Sequence, residues 1–288
     1  MIIEKLAIVG TGLIGGSFAL ALKQAGAVGE VLGVGRSPAS LETALDRGLI
    51  DRIADWMEAG QADCILLALP VGETAAVLRQ LAPHLKPGAI VTDAGSTKVN
   101  VLAAAHEVLG ERHVRFVPGH PIAGSEQSGP AAARADLYQG KKVVLTPEAD
   151  TDAGAVASVR ALWQATGAQV ETLEAGLHDR VFAAVSHLPH LAAFALVDEL
   201  ARRADGDTFF RFAASGFRDF TRIAGSSPEM WRDIALANRE ALLAELDAYL
   251  SALEVVGDAI ADSDADALLE IFSRARAARE RWINKRES

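Results

Sequence analysis

Cysteine is almost absent from this chain. Cys64 stands alone, which excludes an intrachain disulfide and any thiolate metal cluster. It lies in the apolar run from Ala62 to Pro70, where a buried, inert thiol is expected. Positive charge is also scarce: 28 Lys and Arg against 38 Asp and Glu leave a formal net charge of -10. That balance argues against a general basic field for nucleic acid or anionic membrane. An anionic ligand would therefore need a local cluster of Arg, Lys or helix N-termini. The N-terminus, Met1 to Gly12, lacks a charged region followed by a long apolar stretch and a cleavage site. The longer apolar runs elsewhere read as too short, or too interrupted by Gly, Pro and charge, for a membrane span. A soluble protein of the reducing cytoplasm, with no membrane or nucleic-acid partner, is the expectation.

What is present is a globular composition. Half of the 288 residues are hydrophobic and 23% are charged, which suits one large domain or two ordinary ones. The first part alternates short strand-like and longer helix-like segments. Lys5 to Val9 reads as a strand, Leu13 to Gln24 as a helix and Val31 to Val34 as a second strand. Further strands are expected at 63–69, 89–93, 114–117, 142–145 and 169–173. Apolar runs without strict alternation suit strands covered on both faces, hence a mostly parallel, doubly wound sheet. After about Glu174 helical spacing takes over through to Trp282. Leu242, Leu246, Tyr249, Leu250 and Leu253 form one apolar stripe of a long helix. The fold class expected is a Rossmann-like α/β dinucleotide-binding domain over 1–174, followed by an all-α dimerisation and substrate domain over 175–288.

Gly10-Thr11-Gly12-Leu13-Ile14-Gly15 follows the first strand and opens a helix. Strand before, helix after and a second strand beyond are the context that a dinucleotide fingerprint demands. Gly10 permits the tight turn, Gly12 admits a pyrophosphate, and Gly15 lets the helix pack against the strand. Leu13 and Ile14 in the helix's first turn, with Leu69 and Pro70 ending the 63–69 strand, complete the cofactor candidates. At the end of the second strand an NAD site usually carries Asp or Glu. Here the chain reads Val34-Gly35-Arg36-Ser37. A missing anion, a guanidinium at Arg36 and a hydroxyl at Ser37 favour NADP over NAD.

Three more segments place polar groups at element ends. Asp93-Ala94-Gly95-Ser96-Thr97-Lys98 follows a strand and precedes a helix, where ligands bind in an open α/β sheet; Ser96, Thr97 and Lys98 are candidate caps or donors. His120 stands at the end of a strand in the Gly-, Pro- and Ser-rich stretch Gly119 to Gly129, a loop setting in which either a structural or a catalytic histidine fits. Ser186-His187-Leu188-Pro189-His190 puts a proline inside a helix, where a kink can turn Ser186 and His190 toward a site. Arg218 and Arg222 lie four apart, on one face if their stretch is helical.

Taken together, GTGLIGGS, DAGSTK, GHPIAGSEQSG, SHLPH, GFRDFTRIAGS and MWRDI, in that order, resemble the prephenate/arogenate dehydrogenase family. The resemblance covers nearly the whole chain and implies a homodimer, with prephenate or arogenate oxidised and decarboxylated on the way to tyrosine. It implies that His120 is the catalytic histidine at the ring hydroxyl, with Ser96 orienting that hydroxyl and the nicotinamide. Arg222 is then the arginine for the ring carboxylate and His190 a substrate-pocket histidine. Ser125 and Arg218 fall where the family contacts the side chain or supports the pocket. Asp136 is either an ammonium partner that would favour arogenate or an exposed loop aspartate. Neither a regulatory ACT domain nor a fused chorismate mutase is read in the chain, so feedback through an ACT domain is not expected. Two rivals use the same nucleotide fold. A β-hydroxyacid dehydrogenase would need a helical-domain lysine, and none precedes Lys285. A nucleotide-sensing regulator would need a basic binding module, which this acidic chain does not display.

Overall fold

The computed structural model describes residues 1–125 and 127–287, the side chains of 285–287 excepted. Glu126 of the histidine-bearing motif and the side chain of Lys285 therefore lie outside the described residues. The chain forms two compact units, Met1–Arg239 and the part from Glu240 onward.

In the first unit β1 (Ile3–Val9), α1 (Leu13–Gln24), β2 (Val28–Val34), α2 (Pro38–Asp46), β3 (Arg52–Ile53), α3 (Trp56–Gly60), β4 (Cys64–Leu67), α4 (Thr74–Leu81), β5 (Ile90–Asp93), α5 (Val99–Leu109) and β6 (Phe116–Val117) follow one another. Among the described residues these strands make one sheet in the order β3-β2-β1-β4-β5-β6. All of its pairs are parallel. The order reverses between β1 and β4, which opens a crevice at the carboxyl ends of those strands. Successive residues of β1 face opposite ways. Leu6 and Ile8 join a core with Phe18, Tyr138 and Trp163. Ala7 and Val9 join another with Leu78, Val101 and Phe116. Both faces are thus covered, and this explains why the strands lack alternating polarity.

The remaining strands depart from the expected single sheet. β7 (Gly119–Pro121), β8 (Lys142–Leu145) and β9 (Gln169–Thr172) form a separate three-stranded sheet. In it β7 runs antiparallel to β8, and β8 parallel to β9. β6 stops at Val117 because Pro118 cannot donate to a ladder. His120 consequently sits in the middle of β7, paired with Val144, rather than at the end of a strand of the main sheet.

After α6 (Ala153–Ala165), the helices α7 (Ala175–Phe182), α8 (Leu188–Ala201), α9 (Gly206–Phe212), α10 (Ser215–Thr221) and α11 (Pro228–Ala237) complete the first unit. Between α7 and α8 the backbone takes a π-helical turn at Ala183–His187. Pro189 then stands at the start of α8. The widened turn accommodates a proline that lacks an N–H and would crowd the preceding turn, so a π-bulge replaces the simple kink expected. Within the continuous stretch Ala175–Ala201 an 18-residue window reaches a mean hydropathy of 1.5, so the helix is long and apolar enough to cross a membrane by length and composition, contrary to the expectation that no run is. The second unit holds most of α12 (Arg239–Ala261), followed by α13 (Ala265–Glu287). Of the expected α12 stripe Leu242 is buried, whereas Leu250 and Leu253 are about half exposed.

Gly15 lies where α1 crosses β1. A Cβ there would stand 2.2 Å from the Gly10 carbonyl oxygen and 2.7 Å from Ile8 Cγ2. A Gly15→Ala variant should lose roughly 1–3 kcal/mol of stability by overpacking. A thermal melt checks this, and an unchanged melting temperature would refute the close packing.

Candidate active site

The site begins with a carboxylate. Asp179, 4% exposed on α7, accepts from the backbone N–H groups of Lys98 (2.8 Å) and Val99 (2.9 Å) at the start of α5. A helix N-terminus leaves such donors unpaired and favours an anion. The expected caps do not serve: Thr97 donates instead to the Asn100 side chain at 2.7 Å, and α5 is capped by an aspartate 80 residues further along the chain. The same Oδ1 accepts from Nδ1 of His178 at 2.7 Å. His178 Nε2 is thereby left with its lone pair, and it faces Nδ1 of His120 at 2.8 Å. The hydrogen-bond pattern assigns the tautomers: His120 carries its proton on Nδ1, and its Nε2 is unprotonated.

Burial keeps this chain of rings neutral. His120 is held well below the ordinary histidine value of 6.5 by burial, then by the neighbouring His178, Lys98 and His187. Burial also lowers His178, against the opposing pull of Asp179. For Asp179 burial acts upward, but the His178 bond and the two backbone donors outweigh it, so the carboxylate is lowered and ionised. Phe182 packs edge-on against His120, ring centroids 4.7 Å apart.

Lys98, put forward as a cap or a donor, is fully buried. Its Nζ pairs with Asp93 Oδ2 at 2.5 Å and donates to the Gly119 carbonyl at 2.7 Å. Asp93 in turn accepts from the N–H groups of Gly95 (2.8 Å) and Gly119 (3.0 Å). The pair ties the end of β5 to the start of β7 and so sets where His120 stands. Burial lowers the Lys98 amine, and the Asp93 charge opposes that.

A second cluster follows on the π-turn and α8. His190 Nδ1 donates to the Ser186 carbonyl at 2.8 Å, and its ring stacks on Trp231 at 3.7 Å between centroids. Burial, opposed by that carbonyl, lowers its pKa, and the Arg222 charge lowers it further. His187 Nδ1 accepts from Asn238 at 3.0 Å, and Asn238 also donates to the Asp179 carbonyl at 2.8 Å. Among the described residues the buried His187 Nε2 and Trp231 Nε1 meet no hydrogen-bond partner, so two donors remain for an acceptor brought in by a ligand.

At the crevice Gly10 adopts φ +96°, and a Cβ on it would stand 2.2 Å from the Ala68 carbonyl oxygen. Gly12 is the N-cap of α1 without a side-chain cap, and nothing lies within 4 Å of where its Cβ would be. An uncapped helix N-terminus facing open space fits a pyrophosphate.

Comparison with known proteins places the whole chain in one family. Residues 18–172 match the family described as prephenate dehydrogenase, nucleotide-binding domain, and residues 174–274 match prephenate dehydrogenase, dimerization domain. The chain belongs to the prephenate dehydrogenase family. It is 37% identical to the cyclohexadienyl dehydrogenase of Zymomonas mobilis over 96% of each chain. It is also 37% identical to the prephenate dehydrogenase of Bacillus subtilis, over 96% of this chain and 76% of that one. The prephenate dehydrogenase of A. aeolicus, solved with hydroxyphenyl propionate and NAD+, superposes with a TM-score of 0.91 at 37% identity, covering 96% of this chain and 98% of that one. As a member of the prephenate dehydrogenase family the protein is an oxidoreductase that uses a nicotinamide dinucleotide.

Other candidates of this family member stand in varied settings. Ser96 is half-buried in the β5–α5 turn. Leu69 is half-buried and Pro70 exposed beyond β4, on the same sheet edge as Gly10. Ser37 caps α2 by accepting from the Ser40 N–H at 3.2 Å. Arg36 is exposed and pairs with Glu73 at 3.3 Å. Ser125 is exposed and bonds within its own loop, to Gln127. Arg218 is four-fifths exposed and lies 3.7 Å from the Asp219 carboxylate. Asp136 is exposed and pairs with Arg134 at 3.5 Å, in a segment whose Tyr138 donates to the Ile14 carbonyl of α1. Sequence reasoning missed His178, Asp179 and Asn238, and it put Lys98 forward as a cap or donor without its buried partner Asp93. Only the His178-Asp179 pair, at the start of a helical stretch, carried a signal.

His187 is held down to about 4 by burial. With a folded value below the unfolded one, its contribution is present above pH 6.5 and is lost as the pH falls toward 4. The loss amounts to about 3 kcal/mol at most. The melting temperature should therefore drop between pH 7 and pH 4.5, less steeply in a His187→Asn variant. Equal slopes in both proteins would exclude His187 as a source.

Proposed function

We propose that the protein is a prephenate dehydrogenase, converting prephenate to 4-hydroxyphenylpyruvate and CO2 in tyrosine biosynthesis, with His120 as its base. The observation that carries the reading is the Asp179–His178–His120 chain, which leaves an unprotonated Nε2 beside the carboxyl end of β5. Nε2 accepts the proton of the ring hydroxyl, and a burial-depressed pKa keeps it ready in neutral solution. The bound nicotinamide supplies the hydride acceptor. Loss of CO2 makes the ring aromatic, so the protein mainly positions the reactants and carries one proton.

Arg222 grips the ring carboxylate through charge-assisted hydrogen bonds, and Ser96 orients the hydroxyl. His190, held by Trp231 and the Ser186 carbonyl, lines the pocket, and the N–H groups of His187 and Trp231 offer donors to the dianion. Ser125 and Arg218 serve its outer end. Prephenate is favoured over arogenate because Asp136, the one acid put forward as an ammonium partner, is solvated and engaged by Arg134.

Gly10, Gly12 and Gly15, with the first turn of α1 at Leu13 and Ile14, hold the pyrophosphate, and Leu69 and Pro70 border it. NADP is favoured over NAD: no acid ends β2, and Arg36 and Ser37 stand where a 2′-phosphate would need donors. Glu73 is the counter-ion that phosphate displaces. The reading assigns 1–174 to the cofactor and 175–288 to substrate and dimerisation. Half-exposed Leu250, Leu253 and Phe272 on α12 and α13 support a homodimer, in the cytoplasm.

The reading is tested by following reduced nicotinamide absorbance with NAD or NADP crossed against prephenate or arogenate. Prephenate with NADP should give the highest kcat/KM, and a folded protein inactive in all four mixtures would sink the proposal. His120→Asn should lower kcat roughly 10²- to 10⁴-fold with little change in KM. Arg222→Ala should instead raise KM roughly 10- to 100-fold. Separately, Arg36→Ala should raise the KM for NADP about 10-fold and spare that for NAD; equal effects on the two would remove Arg36 as the selector.

A further inference from the structure

The N-terminus of α5 is occupied by Asp179, and a second polar cluster lies at its other end. His106 stands in the last turn of α5 and His113 in the 3-10 turn Gly110–Arg115 that follows. The loop between β8 and α6 brings Glu148 and Asp150 to them. His106 Nε2 lies 2.6 Å from Glu148 Oε2, and His113 Nε2 lies 2.9 Å from Asp150 Oδ2. The rings are 4.1 Å apart at 36°. One ligand atom from each of His106, His113 and Glu148 falls within 4.8 Å of the others. From this geometry we propose a binding site for a divalent first-row transition metal, zinc foremost, held by His106, His113 and Glu148, with an oxygen of Asp150 as the fourth donor.

Three observations support it. First, His113 Nδ1 donates to the Gly110 carbonyl at 2.8 Å. This is how a metal-binding histidine is commonly fixed by its other nitrogen, and it leaves Nε2 as the lone-pair atom facing a carboxylate. Two electron-rich atoms at 2.9 Å require a cation or a proton between them. Second, the donor set is two imidazole nitrogens and carboxylate oxygens, which suits zinc, cobalt or nickel. Magnesium and calcium prefer all-oxygen shells. A tetrahedral zinc site needs donors about 3.3 Å apart, and the two histidine–carboxylate pairs stand at 2.6 and 2.9 Å.

Third, the backbone is already arranged. The Asp152 N–H donates to the Val114 carbonyl at 2.7 Å. Asp152 also caps α6 through the Ala155 N–H at 2.7 Å and pairs with Arg115 at 3.1 Å. Thr151 Oγ1 accepts from the Glu148 N–H at 2.9 Å. The loop carrying two donors is thus pinned to the turn carrying the third. With these protein ligands filling a tetrahedral shell, the ion is structural and ties the end of α5 to the second sheet.

The test uses the untagged, metal-free, full-length protein. Calorimetric titration with zinc chloride should show one ion per chain, and nickel should compete with it. The melting temperature should rise by roughly 5–10 °C at a zinc concentration a hundredfold above Kd. Magnesium and calcium chloride should leave it unmoved. His106→Gln and Glu148→Gln, both at partly exposed positions, should each weaken zinc binding about 10-fold or more while keeping the metal-free melting temperature and dehydrogenase kinetics. No zinc binding, or binding of equal strength in both variants, overturns the proposal; the second result places the ion on the buried histidines instead.

Discussion

The carboxylate of Asp179 is the interaction on which the rest of the site depends. A buried anion is tolerated only when its oxygens are fully engaged. Here the partners are two backbone N–H groups of α5 and the ring of His178. One group therefore closes a helix terminus, fixes a tautomer and joins α7 to the sheet's carboxyl edge. Removing it would leave uncapped donors and an unoriented imidazole at once, and such effects do not separate cleanly in single variants. Asn238, at the end of α11, binds the Asp179 carbonyl as well as His187, so the network reaches both histidine clusters.

The second constraint is the Asp93–Lys98 pair. A fully buried ion pair is a weak source of net stability but a strong source of register, since neither charge can be left alone. By also binding both the N–H and the carbonyl of Gly119, it aligns a strand of the small sheet with a strand of the large one. His120 follows directly. Low dielectric around it disfavours the imidazolium, so the conditions that position the ring also keep its Nε2 free to take a proton. The cofactor end obeys a different rule. At Gly12 the protein contributes open space and an uncapped helix N-terminus, a setting that suits a phosphate.

Much of the fold was legible because short-range rules govern it. Gly10, Gly12 and Gly15 in a strand–turn–helix context announced the nucleotide crevice, and unbroken apolar runs announced a sheet covered on both faces. Motif order carried the family. Errors arose where distant segments decide. β8 and β9 have the strand composition of the main sheet but pair with β7, because Pro118 ends the sixth strand. Pro189 signalled a disturbance in the helix, yet the response, a π-turn over Ala183–His187, depends on what the helix packs against. Arg36 looked like an unopposed cation until Glu73, 37 residues away, was found beside it.

By itself the sequence determined a dinucleotide fold, a helical second half and a family, and it singled out His120 as a candidate, since glycine spacing, hydrophobic period and motif order are local properties. Only the tertiary structure decided which nitrogen of His120 is free, that Lys98 is buried, and that Asp179 caps a helix it does not adjoin in the chain. Those properties belong to pairs of groups roughly 20 to 80 residues apart, brought together because a buried polar atom must find a partner.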